Sequence, residues 1–237
     1  MLKPLNNYLM PVSLIHLAII DEHVLFRKTL KSYLSEHKNF TVVLQTSNAF
    51  ELFDQLSRST VDILLMGIAV SGFNANNTLD MIRTRYPSLK VIVLSMSTDM
   101  DLISSMLESG IYGYICKADE PEELINAIRV VSEDRIYRNR LFTEALYWNE
   151  QTRISPYANE RPILVNEREK KMLQLIWEEK SNKEIAETLY LGVRSIEKIR
   201  QDLKEKIGAR STIGLIKYAI NKGIVIPSDR HSLSVIN

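Results

Sequence analysis

Two domains are predicted: a doubly wound α/β domain built on a five-stranded parallel sheet, then an all-α domain of four helices. Three observations lead there. Between residues 14 and 132, five short apolar runs alternate with stretches of helical period, the pattern of parallel strands covered on both faces. After residue 163 the period is helical, and cap residues mark the starts. Between them lies NEQTRISPYANERP, a polar run with Pro156 and Pro162 that reads as a linker. The boundaries follow: an N-terminal extension at 1–13, the α/β domain at 14–132, a linker with a short helix at 133–162, and the helical domain at 163–237.

The first strand is LIHLAII, 14–20. Lys3 ahead of it imitates a signal peptide, but His16 and Asp21 interrupt the apolar run and no small-x-small cleavage site follows. Its helix carries Phe26, Leu30 and Leu34. TVVLQT, 41–46, is the second strand, with a helix around Leu52, Phe53 and Leu56. DILLM, 62–66, is the third, and a loop rich in asparagine leads to a helix at 78–86. KVIVLS, 90–95, precedes a helix at 100–108; YGYIC, 112–116, precedes one at 121–132. LFTEALYW, 141–148, is the short amphipathic helix of the linker.

A hydrophobic fraction of 45% and a charged fraction of 25% are those of an ordinary globular protein, with material for two cores in 237 residues. No stretch approaches the ~20 apolar residues of a membrane span. Cys116 is the sole cysteine, which excludes an internal disulfide and suits a reducing, cytoplasmic setting. The net charge of +1 conceals an asymmetry. Residues 14–132 hold 10 Lys+Arg against 14 Asp+Glu, and residues 160–237 hold 15 against 11. An acidic front and a basic back direct a polyanion to the back.

An open doubly wound sheet gathers its chemistry at the C-terminal ends of its strands. Strand one ends in Asp21 and Glu22, strand four in Ser95, strand five in Lys117. Two acids, a hydroxyl and an ammonium are the parts of a phosphoryl-accepting pocket: the acids suit Mg²⁺, the hydroxyl and lysine suit phosphoryl oxygens. The third strand, central to that pocket, ends in Gly67, which has no side chain. Asp62 lies five residues earlier, about 16 Å back along the strand, and Asp80 sits in the following helix. Neither reaches the strand tip. With no nucleophile and no base poised by a neighbour, no catalytic residue, metal site or cofactor is assigned. In the absence of a phosphoryl group, Lys117 is expected to pair with Asp21, and Ser95 to satisfy backbone groups at its strand end.

The segments IIDEH (19–23), VIVLS (91–95) and GYICKADEPEEL (113–124) together resemble the receiver domain of bacterial response regulators. That resemblance implies a flavodoxin-like fold and a phosphoacceptor aspartate where this chain has Gly67. It implies a degenerate receiver that is not phosphorylated at the usual site, with Tyr114 as the switch aromatic held in one state. Ser71 stands where proline is usual in that family.

The helical domain is punctuated by Asn166 with Glu169 and Ser181 with Glu184, both capping-box patterns. Leu173, Ile176 and Trp177 form one apolar face; Ile185, Ala186 and Leu189 form the next. YLGV turns the second helix into the third, Gly208 ends the third, and Ser211 starts the fourth. In the third helix, Ile196, Ile199, Leu203 and Ile207 form a buried stripe, while Arg194, Glu197, Lys198, Gln201, Lys204 and Glu205 lie opposite. A helix anchored on one side and polar on the other fits a major groove.

The run SNKEIAETLYL-GVRSIEKIRQDLKEKIGAR-STIGLIKYAINKGIV closely resembles the LuxR-type helix-turn-helix DNA-binding domain, and its pairing with a receiver resembles the NarL/FixJ group of response regulators. The resemblance implies that Glu197, Lys198 and Gln201 face base edges, while Lys183, Arg194, Ser195, Arg200 and Lys204 face phosphates of double-stranded DNA. It also implies a homodimer, with Leu215 and Tyr218 exposed as dimer contacts. Gly192 replaces the usual serine N-cap, Ile199 stands where histidine is common, and Asp202 adds a negative charge, so a relative's site preference does not transfer. The expected function is a DNA-binding transcription regulator whose receiver serves as a dimerisation or partner-docking module. Glu197, Asp202 and Glu205 on or beside the reading helix keep open an interaction module that no longer binds DNA specifically.

Overall fold

The computed structural model describes residues 14–68, 75–148 and 165–225. Its sheet has strands β1 (Ile15–Ile20), β2 (Phe40–Thr46), β3 (Ile63–Gly67), β4 (Lys90–Ser95) and β5 (Gly113–Cys116), all parallel, in the order β2-β1-β3-β4-β5. The chain first winds outward from β1 to β2 and then reverses through β3. The switch therefore falls between β1 and β3, and the crevice opens beyond their C-terminal ends.

The strands were recognisable as unbroken apolar runs because both faces of the sheet are covered. Ile15, Leu17 and Ile19 of β1, with Ile63 and Leu65 of β3, face α1 (Val24–Ser35) and α5 (Pro121–Ser132). Their neighbours Ala18, Ile20, Leu64 and Met66 face the other way. That side is covered by α2 (Ala49–Leu56), α3 (Ala75–Arg85) and α4 (Met100–Glu108). Helix starts carry the expected chemistry: Asn48 caps α2 through the Glu51 amide, and Asp99 caps α4 through the amides of Asp101 and Leu102.

After α5, the helix α6 (Arg140–Trp148) returns to pack along α4, burying Phe142, Ala145 and Leu146. The linker helix is thus part of the α/β domain's surface layer. Four helices follow: α7 (Glu167–Trp177), α8 (Asn182–Leu189), α9 (Val193–Ile207) and α10 (Thr212–Asn221). Both capping boxes form, at Asn166/Glu169 and Ser181/Glu184. Gly208 closes α9 at φ 75°, a left-handed position that glycine occupies without a Cβ penalty. Residues 1–13, 69–74, 149–164 and 226–237, with the extension, Ser71 and the polar linker, lie outside the described residues.

The α4–α6 side of the sheet core runs on into the helical domain as one apolar cluster. Polar ties cross the same junction. Arg138 pairs with Glu179 at 2.5 Å, donates to the Trp177 carbonyl at 2.7 Å and lies over the Trp177 ring. Lys217 of α10 pairs with Glu108 of α4 at 3.2 Å.

Candidate functional site

The crevice at the strand tips is filled from within. Asp21 directly follows β1, and its side chain is only 2% exposed. Oδ2 accepts from Lys117 Nζ at 2.5 Å; Oδ1 accepts from the His23 amide at 2.9 Å and meets His23 Nδ1 at 2.8 Å. The turn DEH explains the local geometry, since an aspartate readily accepts from the amide two residues on. Arg27 donates to the Asp21 carbonyl, and Lys117 Nζ lies 4.3 Å from the centre of the Phe26 ring. Burial alone would raise the Asp21 pKa, but the hydrogen bonds from Lys117 and His23 outweigh it and hold the carboxyl below the ordinary range.

Gly67 ends β3 fully buried, and the Asp21 carboxylate lies over its Cα. A Cβ at residue 67 would stand 2.2 Å from Asp21 Oδ2, 2.9 Å from its Cγ and 3.3 Å from its Cα. The space of a third-strand side chain is therefore taken by the first strand's acid. Ser95 Oγ accepts from the Ser97 amide at 3.0 Å, satisfying backbone at the strand end. Tyr114 is completely buried and donates its hydroxyl to the Ser97 carbonyl at 2.7 Å. Glu22 is turned outward, with 40% of its side chain exposed, and Glu22 Oε1 lies 3.9 Å from His23 Nε2.

These residues do not fit the Mg²⁺ that the receiver resemblance implies. Both Asp21 oxygens are engaged and Gly67 offers no ligand. Among the described residues, no group of three His, Cys, Asp or Glu side chains could hold a metal. The sequence points to Asp21, Glu22, Gly67, Ser95 and Lys117; the structure adds His23, Phe26 and Arg27. Their signal lay in the residues just after the acid pair, where a short turn was bound to bring its own side chains back to the strand end.

The helical domain presents a separate polar surface. Lys183 on α8 and Arg194, Ser195, Glu197, Lys198 and Gln201 on α9 are exposed, and Gln201 donates to Glu205 at 2.8 Å. Gly192 precedes α9 without a side-chain cap, so Ser195 and the first free amides sit together at an open helix start.

Three expectations are corrected: the buried stripe of α9, the placement of Arg200, and the exposure of Leu215 and Tyr218. The stripe that α9 buries is Ile196, Arg200, Leu203 and Ile207, with Ile199 only half-buried. Arg200 is turned inward, its guanidinium donating to Asn182 Oδ1 and, at 2.9 Å, to Thr212 Oγ1. Both 3-4-4 and 4-3-4 spacings fit one helical face, and an apolar residue at 199 favoured the wrong one. Arg200 is therefore not placed to face phosphates in this arrangement. Lys204 is half-buried against the α/β domain, and burial followed by the Arg200 charge pushes its pKa down. Leu215 and Tyr218 are also buried, 0% and 2% exposed, because α10 is flanked by α7, α9 and α4. They are not free dimer contacts here.

Residues 17–129 match the family described as the response regulator receiver domain, and residues 165–219 match the bacterial regulatory proteins of the luxR family. The transcriptional regulatory protein MctR of Rhizobium johnstonii is 31% identical over 212 residues, covering 89% of this chain and 95% of its own. The oxygen regulatory protein NreC of Staphylococcus epidermidis is 26% identical over 214 residues, covering 88% and 98%. A structure of two RcsB dimers bound to two parallel DNAs is similar in fold, with a TM-score of 0.56 and 21% identity over 87% of this chain and 98% of that one. Among the described residues, no helix is long and apolar enough to cross a membrane. A receiver followed by luxR-type helices, with MctR alike over nearly its whole length, makes this chain a member of the LuxR-type response regulators, a family of DNA-binding transcription regulators and not of enzymes.

Proposed function

We propose that this regulator works without phosphorylation of its receiver. The observation that carries the reading is the Asp21 carboxylate lying over Gly67, paired with Lys117 and leaving no third-strand acid to accept a phosphoryl group. Asp62 is bound elsewhere, accepting from the His16 amide at 2.7 Å, and Asp80 pairs with Arg83. The receiver then acts as a dimerisation or partner-docking module of fixed shape, and control comes through a partner protein, a ligand or the amount of the regulator.

DNA is bound by a homodimer through α9. Glu197, Lys198 and Gln201 read base edges, and Lys183, Arg194 and Ser195 hold phosphates, positioning the helix without specifying sequence. Lys204 joins the phosphate contacts when the helical domain moves off the receiver. The dimeric DNA assembly of RcsB supports this reading by fold likeness alone. The rival, an interaction module without specific DNA binding, is favoured by the exposed acids Glu197, Asp202 and Glu205.

Binding of the full chain to genomic fragments, measured across a salt series with and without acetyl phosphate, tests both parts. The proposal expects specific binding that weakens steeply with salt and is unchanged by the phosphodonor. Affinity raised by acetyl phosphate in wild type but not in Lys117→Met defeats the first part; salt-insensitive or absent binding defeats the second.

A further inference from the structure

We infer that the cavity between the receiver and the helical domain is a binding site for a small organic anion, one with a single anionic head and a short apolar body. The cavity has a volume of about 70 Å³ and both domains line it. That is several times the ~10–15 Å³ a single water needs. Its lining is apolar in part: Leu79 and Ile82 of α3, Val91 of β4, Ile111 before β5 and Ile213 of α10. It also includes three cations, Arg83 of α3, Lys204 of α9 and the exposed Arg210 before α10, with Ser211 and Thr212.

Cations outnumber acids around this cavity, with Arg210 exposed and Lys204 half-buried. Among the described residues, no carboxylate pairs with Lys204, Arg210 or the neighbouring buried Arg200, whose partners are the neutral Asn182 and Thr212. Arg83 alone has an acid, Asp80 at 2.9 Å. Asp134 and Glu197 act on Arg200 without pairing with it, and Asp134 is already bound to Lys90 at 2.6 Å. A half-buried lysine beside a buried arginine gains from an opposite charge brought up to it. Ser211, Thr212 and Ile213 at the start of α10 line this cavity, so the positive end of the helix dipole favours an anion there. The apolar part of the lining leaves a fully polar oxyanion incompletely satisfied, which favours a carboxylate with a hydrocarbon body over inorganic phosphate.

A ligand here touches both domains at once and holds them together. It thereby keeps Lys204 away from the surface. On the proposed DNA-binding reading, such a ligand opposes DNA, because each would favour a different arrangement of the domains. The binding itself does not depend on that reading.

The test uses the full chain, melted in sodium acetate, butyrate, benzoate or phosphate against sodium chloride at equal ionic strength. We expect saturable stabilisation by butyrate, a weaker effect from acetate, none from benzoate, whose ring alone needs about 150 Å³, and none from phosphate beyond that of chloride. Arg83→Gln and Arg210→Gln should each weaken the half-saturating concentration by about tenfold, the loss of one charge-assisted hydrogen bond. Lys180→Gln, away from the cavity, should behave as wild type. No saturable shift with any carboxylate, or equal shifts in the Arg83→Gln/Arg210→Gln double variant, overturns the site. Phosphate matching butyrate overturns the assigned ligand class. Failure of butyrate to weaken DNA binding at constant ionic strength, with the melting shift intact, overturns only the opposition to DNA.

Discussion

Lys117→Met removes the cation that seals the crevice while keeping a side chain of similar length. Nζ lies 2.5 Å from Asp21 Oδ2, with the Lys117 and Asp21 side chains 14% and 2% exposed. Stranding one partner of a buried ion pair costs about 3–5 kcal/mol. The His23 amide and imidazole still hold Oδ1, so we expect the lower end, about 3 kcal/mol at pH 7. The pH dependence gives a second reading. In the wild type the Asp21 pKa is lowered on folding, so its contribution is present above the unfolded value of about 3.9 and fades as pH falls through the folded one. Without Lys117, two of the influences that lower the folded pKa are gone and it rises from that position. Acidification from pH 7 towards 3 should therefore narrow the gap between variant and wild type. Urea unfolding followed by circular dichroism at both pH values measures this. A loss below about 1 kcal/mol, or a gap that widens on acidification, would refute the role given to the pair.

Other substitutions probe the remaining claims. Gly67→Ala puts a Cβ 2.2 Å from Asp21 Oδ2 and should cost about 1–3 kcal/mol in chemical denaturation, as overpacked sites do. Lys183→Ala should weaken DNA binding evenly across sequences and lower the salt slope by about 1, whereas Gln201→Ala should relax preference at one base pair at a cost of about 1–3 kcal/mol. Arg200→Ala should destabilise the helical domain by about 2 kcal/mol, read by thermal unfolding, because Asn182 Oδ1 and Thr212 Oγ1 lose their donor. Were Arg200 a phosphate contact alone, its loss would leave stability unchanged and affect only DNA.

Apolar runs recorded the strands because each is buried on both sides, and cap residues recorded the helix starts because few side chains satisfy free amides at those positions. Asn166, Ser181 and Gly208 were each legible for that reason. The pairing of Lys117 with Asp21 was legible too, since opposite charges at adjacent strand ends have little else to meet. What escaped was the orientation of side chains at the domain junction. Arg200 reads as a surface cation on a polar helix, and only the positions of Asn182 and Thr212, supplied by two other helices, turn it inward. Leu215 and Tyr218 looked exposed because one helix's pattern does not reveal that three others surround it. The displacement of the Gly67 side-chain space by Asp21 was likewise invisible, because glycine in a strand says only that something approaches closely.

The central claim is that the third strand offers no acceptor and that Asp21, bound to Lys117, is not one. Intact-mass measurement of the full chain after incubation with acetyl phosphate and Mg²⁺ tests it most directly. The structure predicts an unchanged mass. Stoichiometric gain of one acid-stable, base-labile phosphoryl group, mapped to residues 62–80 or to Asp21, would contradict it.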